Sequence, residues 1–279
     1  MNKLSVITIN LNDAEGLRRT LSSVLDRQSF KDIEYIVIDG GSKDGSTDVI
    51  KEYEGRISYW ISEPDRGIYN AMNKGIVKAT GEYMLFLNSG DWLADDVLAK
   101  VFAEPFTEDI VYADLFMYCE DGKVTEQVYS DRLSFLEVLC ISLGHQSTFI
   151  RRELFEGNLY REDYKIISDW VFWVEELLFK GRSWRHLNIF TTYFNMYGLS
   201  YKDGMNELVY TEQEDYMRRC HPYMSALIKD FSYTKMQRAL DVMSKHKMDT
   251  LADSAWLQKR LKSYVGLLFA VKKLFKIKN

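Results

Sequence analysis

The feature that most constrains the fold is a regular alternation of apolar strands and amphipathic helices over the first 90 residues. The runs LSVITI (4–9) and EYIVID (34–39) are short and rich in β-branched residues, as buried strands are. Between them, residues 14–28 place leucines and valine at helical spacing. This alternation predicts an α/β fold with a mostly parallel sheet and helices on both faces.

The four predicted strands of this region end in polar stretches, which are residues 10–12, 39–42, 62–66 and 88–91. Because the carboxyl ends of parallel strands meet at one edge, we expect these stretches to form a ligand site. No Gly-rich dinucleotide fingerprint or Walker-type phosphate loop is present. A divalent cation on Asp91 would be another way to hold a diphosphate, although a cap for the helix starting near Asp95 would also explain this carboxylate.

Beyond residue 105 the alternation becomes less regular. Residues 109–118 and 123–130 predict a β-hairpin, because two strand-like runs flank an Asp-Gly turn. Residues 168–181 predict a helix whose N-cap is Ser168 or Asp169.

From about residue 203 the sequence predicts helices alone, so we place a domain over residues 1–200 and a helical region over 201–279. The final segment, 259–279, carries seven basic residues and no acid; removing its +7 from the net −5 leaves −12. Apolar residues recur in it at steps of three and four. This pattern favours a basic amphipathic helix on an anionic membrane surface, with packing on the protein or a dimer seam as alternatives.

The charge and the cysteine content narrow the possible class of protein and its cellular compartment. The acidic body argues against nucleic acid as the main partner. The three cysteines, Cys119, Cys140 and Cys220, are widely spaced and match no metal pattern, which indicates reduced thiols. The start MNKLSVITIN does not resemble a signal peptide, and no apolar run reaches the roughly 18 residues of a membrane span. We therefore expect a cytoplasmic protein, peripheral on the inner face of the plasma membrane if the tail binds there.

Five segments in order carry a family resemblance: SVITINLN, VIDGGSKDGSTDVI, SEPDRGIYNAMNKGIVKATGEYMLFLNSGD, GHQSTFIRR and ISDWVFW. With them the chain resembles the family 2 glycosyltransferases, which have the GT-A fold. The match runs from residue 4 to about 175 and does not cover 203–279. The third segment is the most specific, because a long ordered match rarely arises by chance.

The resemblance implies that a nucleotide-sugar, commonly UDP-linked, binds across the first strands. The residues that it assigns to this sugar donor are Thr8, Asn10, Asp39, Arg66, Asn88 and Ser89. Asp39 would accept a hydrogen bond from the uracil N–H, and Arg66 would lie by the base or the diphosphate. The structural alternatives are turn formation for Asp39 and a surface ion pair for Arg66.

The family often has two carboxylates where this chain has Ser89, Gly90 and Asp91. By resemblance, Asp91 is the one that contacts the metal. Mn²⁺ or Mg²⁺ tolerates a single protein carboxylate, because diphosphate oxygens and waters can complete its coordination.

Sugar transfer also needs a base, and Asp169 matches the position of the family's catalytic carboxylate. The alternative is that Asp169 is only a helix cap. His145 and Gln146, within GHQST, would border the diphosphate or the acceptor. Trp170 and Trp173 would either flank a sugar or pack in the core.

The sequence is therefore interpreted as an inverting, metal-dependent glycosyltransferase, with inversion implied by the family alone. It would move a sugar from a UDP-sugar to a hydroxyl of a glycan, lipid-linked, in bacterial surface polysaccharide synthesis. Two rivals are weighed against this. A nucleotidyltransferase would need a basic, Gly-rich loop near the first strand, where the segment NLNDAEG (10–16) has acids and no Lys or Arg. A non-catalytic glycan-binding or scaffold protein is kept open by Gly90 in place of an acid.

Overall fold

The computed structural model describes residues 3–119, 121–140, 142–196 and 207–226. The chain divides into two units, Met1–Gly204 and Met205–Asn279. In the second unit the described residues form one helix, Glu207–Cys220, followed by helical residues 222–226. The helices predicted after residue 226 and the basic tail 259–279 lie outside the described residues.

A nine-stranded sheet runs through the described part of the first unit. Its strands are β1 (Leu4–Asn10), β2 (Ile33–Asp39), β3 (Tyr59–Ser62), β4 (Tyr83–Phe86), β5 (Trp92–Leu93), β6 (Ile110–Tyr118), β7 (Val124–Gln127), β8 (Thr148–Arg151) and β9 (Trp184–Asn195). Their spatial order is β3-β2-β1-β4-β8-β6-β9-β5, and β7 pairs with β6 off this path, at residues 115–118, beyond the stretch 110–112 that pairs with β8.

The α-helices alternate with the first strands and then become shorter. They are α1 (Ala14–Leu25), α2 (Ser46–Tyr53), α3 (Ile68–Lys78), α4 (Val97–Val101), α5 (Phe135–Cys140), α6 (Ser168–Trp173) and, in the second unit, α7 (Glu207–Cys220). Three 3₁₀ turns occur at Glu54–Arg56, His145–Ser147 and Arg152–Phe155. A π-helical turn, Val174–Phe179, continues α6.

The first four strands are parallel, as the alternation predicted. Helices cover both faces of this part of the sheet. On one face, Leu17 and Leu21 of α1 pack into the core that contains Val6 and Val37. On the other face α3 lies so close to β1 that a Cβ at Gly75 would be 2.4 Å from Ile7 Cγ2. The register aligns Asn10 with Asp39, which brings the polar strand ends together.

The second half of the sheet is mixed. Strand β8 is antiparallel to β4 and to β6, and β5 is antiparallel to β9. The predicted hairpin is present as the antiparallel pair β6 and β7. Strand β9 runs parallel to β6 and crosses a register shift at Ala113 to Leu115. The α/β class and GT-A-like architecture are thus confirmed, with a sheet that is parallel only in its first half.

The predicted N-cap of α6 was wrong. Helix α6 starts after Ile167 without a side-chain cap. The Ser168 hydroxyl donates to the Arg161 carbonyl, so it anchors the preceding loop. Within the described ranges, no helix combines the length and apolarity that crossing a membrane requires.

Candidate active site

The carboxyl ends of the first strands open on a cleft of about 780 Å³. Seven of the ten residues predicted from the sequence line it: Asn10, Arg66, Asn88, Ser89, Asp91, His145 and Asp169. The sheet brings these residues to one place because β1, β2 and β4 are neighbours and parallel.

The other three predicted residues, Thr8, Asp39 and Gln146, are buried beneath the cleft rather than on its surface. Thr8 Oγ1 donates to the Leu87 carbonyl at 2.7 Å, which ties β1 to the end of β4. The main-chain carbonyl of Gln146 accepts a hydrogen bond from Thr192 Oγ1 at 2.7 Å. These contacts give Thr8 and Gln146 a supporting position, and direct ligand contact by them would need the cleft to rearrange.

Asp39, at the end of β2, is the best satisfied carboxylate of this edge. It accepts five hydrogen bonds, from Asn10 Nδ2, Ser42 Oγ, Ser62 Oγ and the main-chain N–H groups of Gly41 and Ser42. Burial alone would raise its pKa, but the bonds from Ser42, Ser62 and Asn10 outweigh burial and hold the pKa below its ordinary value. Recognition of a uracil N–H by Asp39 stays a prediction, and it would require one of these donors to move.

Asp91, after β4, has a contrasting environment. Its side chain is only 4% exposed, and its Oδ1 accepts one hydrogen bond, from the main-chain N–H of Asn195 at 2.8 Å. Burial raises the pKa of Asp91 to about 7; the Asn195 N–H and His145 lower it, and the charge of Asp13 raises it further. A buried carboxylate with so little compensation is a group that a cation would stabilise.

The turn that carries Asp91 is fixed by helix α1. Thr20 Oγ1 donates to the Asp91 carbonyl at 2.6 Å and accepts from the Gly90 N–H at 3.1 Å. Asp13, the N-cap of α1, accepts a hydrogen bond from Ser89 Oγ at 2.8 Å. Ser89 is therefore bound to a carboxylate from another loop, which also lines the cleft.

Gly90 is required by its backbone and by its neighbours. It has φ of +92°, and an added Cβ would lie 2.9 Å from Asn195 Nδ2 and 3.3 Å from Asp13 Oδ2. An aspartate at this position would be strained and crowded.

A divalent cation is compatible with the oxygen ligands of this turn, although the protein supplies few of them. Among the described residues, no group of three or more His, Cys, Asp or Glu side chains could hold a metal ion. Asp91, with Asp13 nearby, would hold a hard cation such as Mn²⁺ or Mg²⁺ only if substrate oxygens and waters complete the coordination.

Asp169 lies in the first turn of α6, where its carboxylate is bound by side chains from elsewhere in the fold. Tyr69 Oη donates to its Oδ1 at 2.8 Å, and His145 Nδ1 lies 3.1 Å from its Oδ2. The Asp169 and His145 side chains are 16% and 17% exposed, so both reach the cleft without being free in solvent. The helix-cap alternative for Asp169 is thus excluded, because α6 has no side-chain cap.

Arg66 stands at the rim of the cleft with a side chain that is 78% exposed. It forms an ion pair with Glu162 at 2.7 Å, and this carboxylate also accepts from Asn70 Nδ2 at 3.1 Å. An exposed ion pair of this kind adds little stability. Arg66 can therefore exchange Glu162 for a diphosphate at small cost.

The two tryptophans of α6 pack in the core. Trp170 and Trp173 are fully buried, and their indole N–H groups donate to the carbonyls of Leu139 and Leu143. Their flat side chains are therefore not available to a sugar.

Sequence reasoning missed Asp13, Tyr69 and Asn195. Asp13 had a usable signal, since an aspartate between a strand and a helix is a common N-cap. Tyr69 and Asn195 had none, because a tyrosine in a helix and a main-chain donor at a strand end have no distinguishing pattern.

A family model with the description "Glycosyl transferase family 2" matches residues 5–162. The chain belongs to this family. It is therefore a glycosyltransferase, and the nucleotidyltransferase and scaffold interpretations are set aside. The family model covers β1 through β8 and ends before Asp169.

Curated relatives agree with this assignment. A PGL/p-HBAD biosynthesis glycosyltransferase of Mycobacterium tuberculosis H37Rv is 32% identical over 203 residues, covering 70% of this chain and 77% of the relative. Glycosyltransferase GlyA of Streptococcus pneumoniae is 25% identical over 283 residues, covering 96% of this chain and 37% of GlyA.

Solved structures share the fold. TarS 1-349 of S. aureus, in complex with UDP-GlcNAc, matches with a TM-score of 0.62 at 16% identity, covering 98% of this chain and 81% of the other. The mannosyltransferase PcManGT of Pyrobaculum calidifontis, in complex with GDP-Man and Mn²⁺, matches with a TM-score of 0.55 at 17% identity, covering 99% of this chain and 88% of the other. At these identities the likeness shows the fold alone.

Proposed function

We propose that this glycosyltransferase inverts the sugar's anomeric centre, takes a UDP-sugar as donor and uses Asp169 as its general base. The observation that carries the proposal is the way in which hydrogen bonds hold the Asp169 carboxylate. Its carboxylate lies in the same cleft as Asp91, and groups from two other segments hold it. A carboxylate that served only its own helix would not need these partners.

The proposed reaction is a displacement at the anomeric carbon of the donor sugar. The acceptor hydroxyl oxygen forms a bond to the anomeric carbon while the bond from that carbon to the diphosphate breaks. The hydroxyl proton passes to Asp169, and the electron pair of the broken bond leaves with UDP. Attack opposite to the leaving group inverts the anomeric carbon.

The Asp91 end of the cleft would receive the diphosphate. When bound, a divalent cation there would neutralise the negative charge that develops on the departing UDP. Asp91 and Asp13 would hold this cation with substrate oxygens. Arg66, released from Glu162, would add a positive charge at the rim.

The assignment of a uridine nucleotide rests on fold analogy, and the assignment of the acceptor rests on relatives. TarS was solved with UDP-GlcNAc and with UDP, and PcManGT with GDP-Man and Mn²⁺, so nucleotide-sugars bind to proteins of this fold, in PcManGT together with a divalent cation. A relative acts in PGL/p-HBAD biosynthesis. We infer that the acceptor here is the hydroxyl of a bacterial glycan, lipid-linked, which the basic segment 259–279 would meet at the inner face of the membrane.

Asp169→Asn tests the base. An amide cannot take the proton, so sugar transfer should fall roughly 10²-fold or more. Donor affinity and melting temperature should barely change, because the amide oxygen still accepts a hydrogen bond. The donor is first identified by thermal shift against UDP-, GDP- and dTDP-sugars with and without Mn²⁺. Transfer by Asp169→Asn at near the wild-type rate would disprove this mechanism.

A further inference from the structure

Four side chains form one hydrogen-bonded row across the cleft. Tyr69 Oη lies 2.8 Å from Asp169 Oδ1, and Asp169 Oδ2 lies 3.1 Å from His145 Nδ1. The other ring nitrogen of His145, Nε2, lies 3.1 Å from Asn88 Nδ2. The row starts on α3, passes through α6 and the 3₁₀ turn at His145, and ends in the turn that also carries Asp91.

Asp169 determines which atoms of this row donate hydrogen bonds and which accept them. An ionised carboxylate only accepts hydrogen bonds, so the proton between Asp169 and His145 must lie on His145 Nδ1. With Nδ1 protonated, a neutral His145 has a free lone pair on Nε2, and the Asn88 amide N–H₂ points at it. The Asn88 Oδ1 atom is then buried and, among the described residues, has no hydrogen-bond partner.

We propose that Tyr69 and His145 are positioning residues for Asp169, and that Asp169, by fixing the His145 tautomer, also sets the orientation of the Asn88 amide. This inference rests on the proposed function in one respect, the role of Asp169 as base. Both carboxylate oxygens receive a hydrogen bond, so the group cannot rotate about its bond to Cβ without breaking them. The lone pair left to accept the acceptor's proton then has a fixed direction.

The Asn88 end gives the row its second consequence. Asn88 lines the cleft next to Ser89, within the residues assigned to the sugar donor. With its N–H₂ directed at His145, its buried Oδ1 keeps an acceptor position that a hydroxyl of the nucleotide-sugar would fill once the cleft rearranges around it. The base and a donor-side contact are thereby coupled through a single imidazole.

Tyr69 suits its role because it remains a donor. Burial, and then the charge of Asp169, raise the pKa of Tyr69 well above its ordinary value. The hydroxyl therefore stays protonated at neutral pH, and it does not compete for the acceptor's proton.

The tautomer can be measured without any substrate. The full chain, labelled with nitrogen-15 in its histidine rings, contains four histidines, and a His145→Gln sample identifies the His145 signals. We expect Nδ1 of His145 to be protonated and Nε2 to be bare at neutral pH. In Asp169→Ala the proton should move to Nε2, the tautomer that free histidine prefers. A bare Nδ1 in the wild type, or a tautomer unchanged in Asp169→Ala, would overturn the proposal.

Kinetics test the Tyr69 contact, with UDP-GlcNAc as donor and water as acceptor. Tyr69→Phe should lower kcat roughly 10-fold without changing the KM for UDP-GlcNAc, because a hydrogen bond to a charged group is lost. In the Asp169→Asn background the same change should have no further effect. Equal losses in both backgrounds would show that Tyr69 acts elsewhere and would overturn its positioning role.

Tyr160→Phe is the matched control. The Tyr160 ring lies 5.6 Å from the Tyr69 ring, and its buried hydroxyl has no hydrogen-bond partner among the described residues. Removing it should leave kcat at the wild-type value; a loss equal to that of Tyr69→Phe would show a general packing effect. The base assignment and the positioning proposal fail separately. If Asp169→Asn stays active while His145 of the wild type has the expected tautomer, the base assignment alone is overturned.

Discussion

Two aspartates stand on either side of β1 at the same edge of the sheet, and their surroundings are opposite. Asp39, after β2, accepts five hydrogen bonds, and its pKa is held below the ordinary value by the balance of burial and these bonds. Asp91, after β4, accepts one from the Asn195 main chain, and burial raises its pKa to about 7. The comparison teaches that position at a strand end does not decide a carboxylate's role. The hydrogen bonds of Asp39 suit it to holding the strand ends together, whereas the buried, sparsely bonded Asp91 is suited to a cation.

The same substitution at both sites separates these roles, and Asp91→Asn should have the largest effect on function. An amide keeps an oxygen for the Asn195 N–H but loses the charge that would hold a cation. We expect Mn²⁺-dependent UDP binding to fall roughly 10²-fold, since loss even of a residue that only supports a metal ligand can cost 10–100-fold. The melting temperature should stay the same or rise, because a buried charge is removed. Titration calorimetry with UDP and Mn²⁺ measures this, and unchanged UDP affinity would refute the metal assignment.

Asp39→Asn should act chiefly on stability. The amide nitrogen would face donors that now bind a carboxylate oxygen, so the free energy of unfolding should fall by about 2–3 kcal/mol. Chemical denaturation with an unchanged m-value would establish the loss. If Asp39→Asn unfolded like the wild type and instead lost UDP binding, the ranking of the two aspartates would be reversed.

Gly90→Ala tests why the chain has no second acid beside Asp91. A left-handed backbone costs a non-glycine residue roughly 1–2 kcal/mol, and crowding against Asn195 and Asp13 should add to this. Gly45→Ala is the matched control, with φ of +94° against +92° for Gly90 and no atom within 4 Å of its added Cβ. We expect a larger drop in melting temperature for Gly90→Ala. Equal drops would mean that backbone strain alone excludes a side chain.

The smallest predicted effect is the contribution of Asp39 to the pH dependence of stability. Its pKa is lower in the folded state, so its contribution to stability is complete above the unfolded-state pKa of about 4. That contribution disappears as the pH falls through the folded-state pKa. Thermal melts between neutral and acidic pH should therefore show a shallower acid decline for Asp39→Asn than for the wild type. A decline of the same slope in both would contradict the linkage.

The part of the site that follows strand ends could be predicted, and the part that depends on distant contacts could not. Apolar, β-branched runs and helical spacing located β1 to β4, and parallel pairing then brought Asn10, Asn88 and Asp91 to one cleft. Nothing in the sequence indicated that Asp91 would be buried, and the main-chain N–H that its carboxylate binds comes from β9, about 100 residues later. Apart from the β6–β7 hairpin, the mixed pairing of the second half of the sheet was not predictable, since it joins strands that lie far apart in the sequence.

The bond that β9 makes to Asp91 also determines what a comparison of related sequences can reveal. The donor is the main-chain N–H of Asn195, which every residue except proline possesses. This bond therefore places no other demand on the identity of residue 195, and substitutions there could accumulate without breaking it. Correlated changes between positions 91 and 195 need not arise from it. A connection that closes one end of the cleft would then be invisible to covariation and evident only in three dimensions.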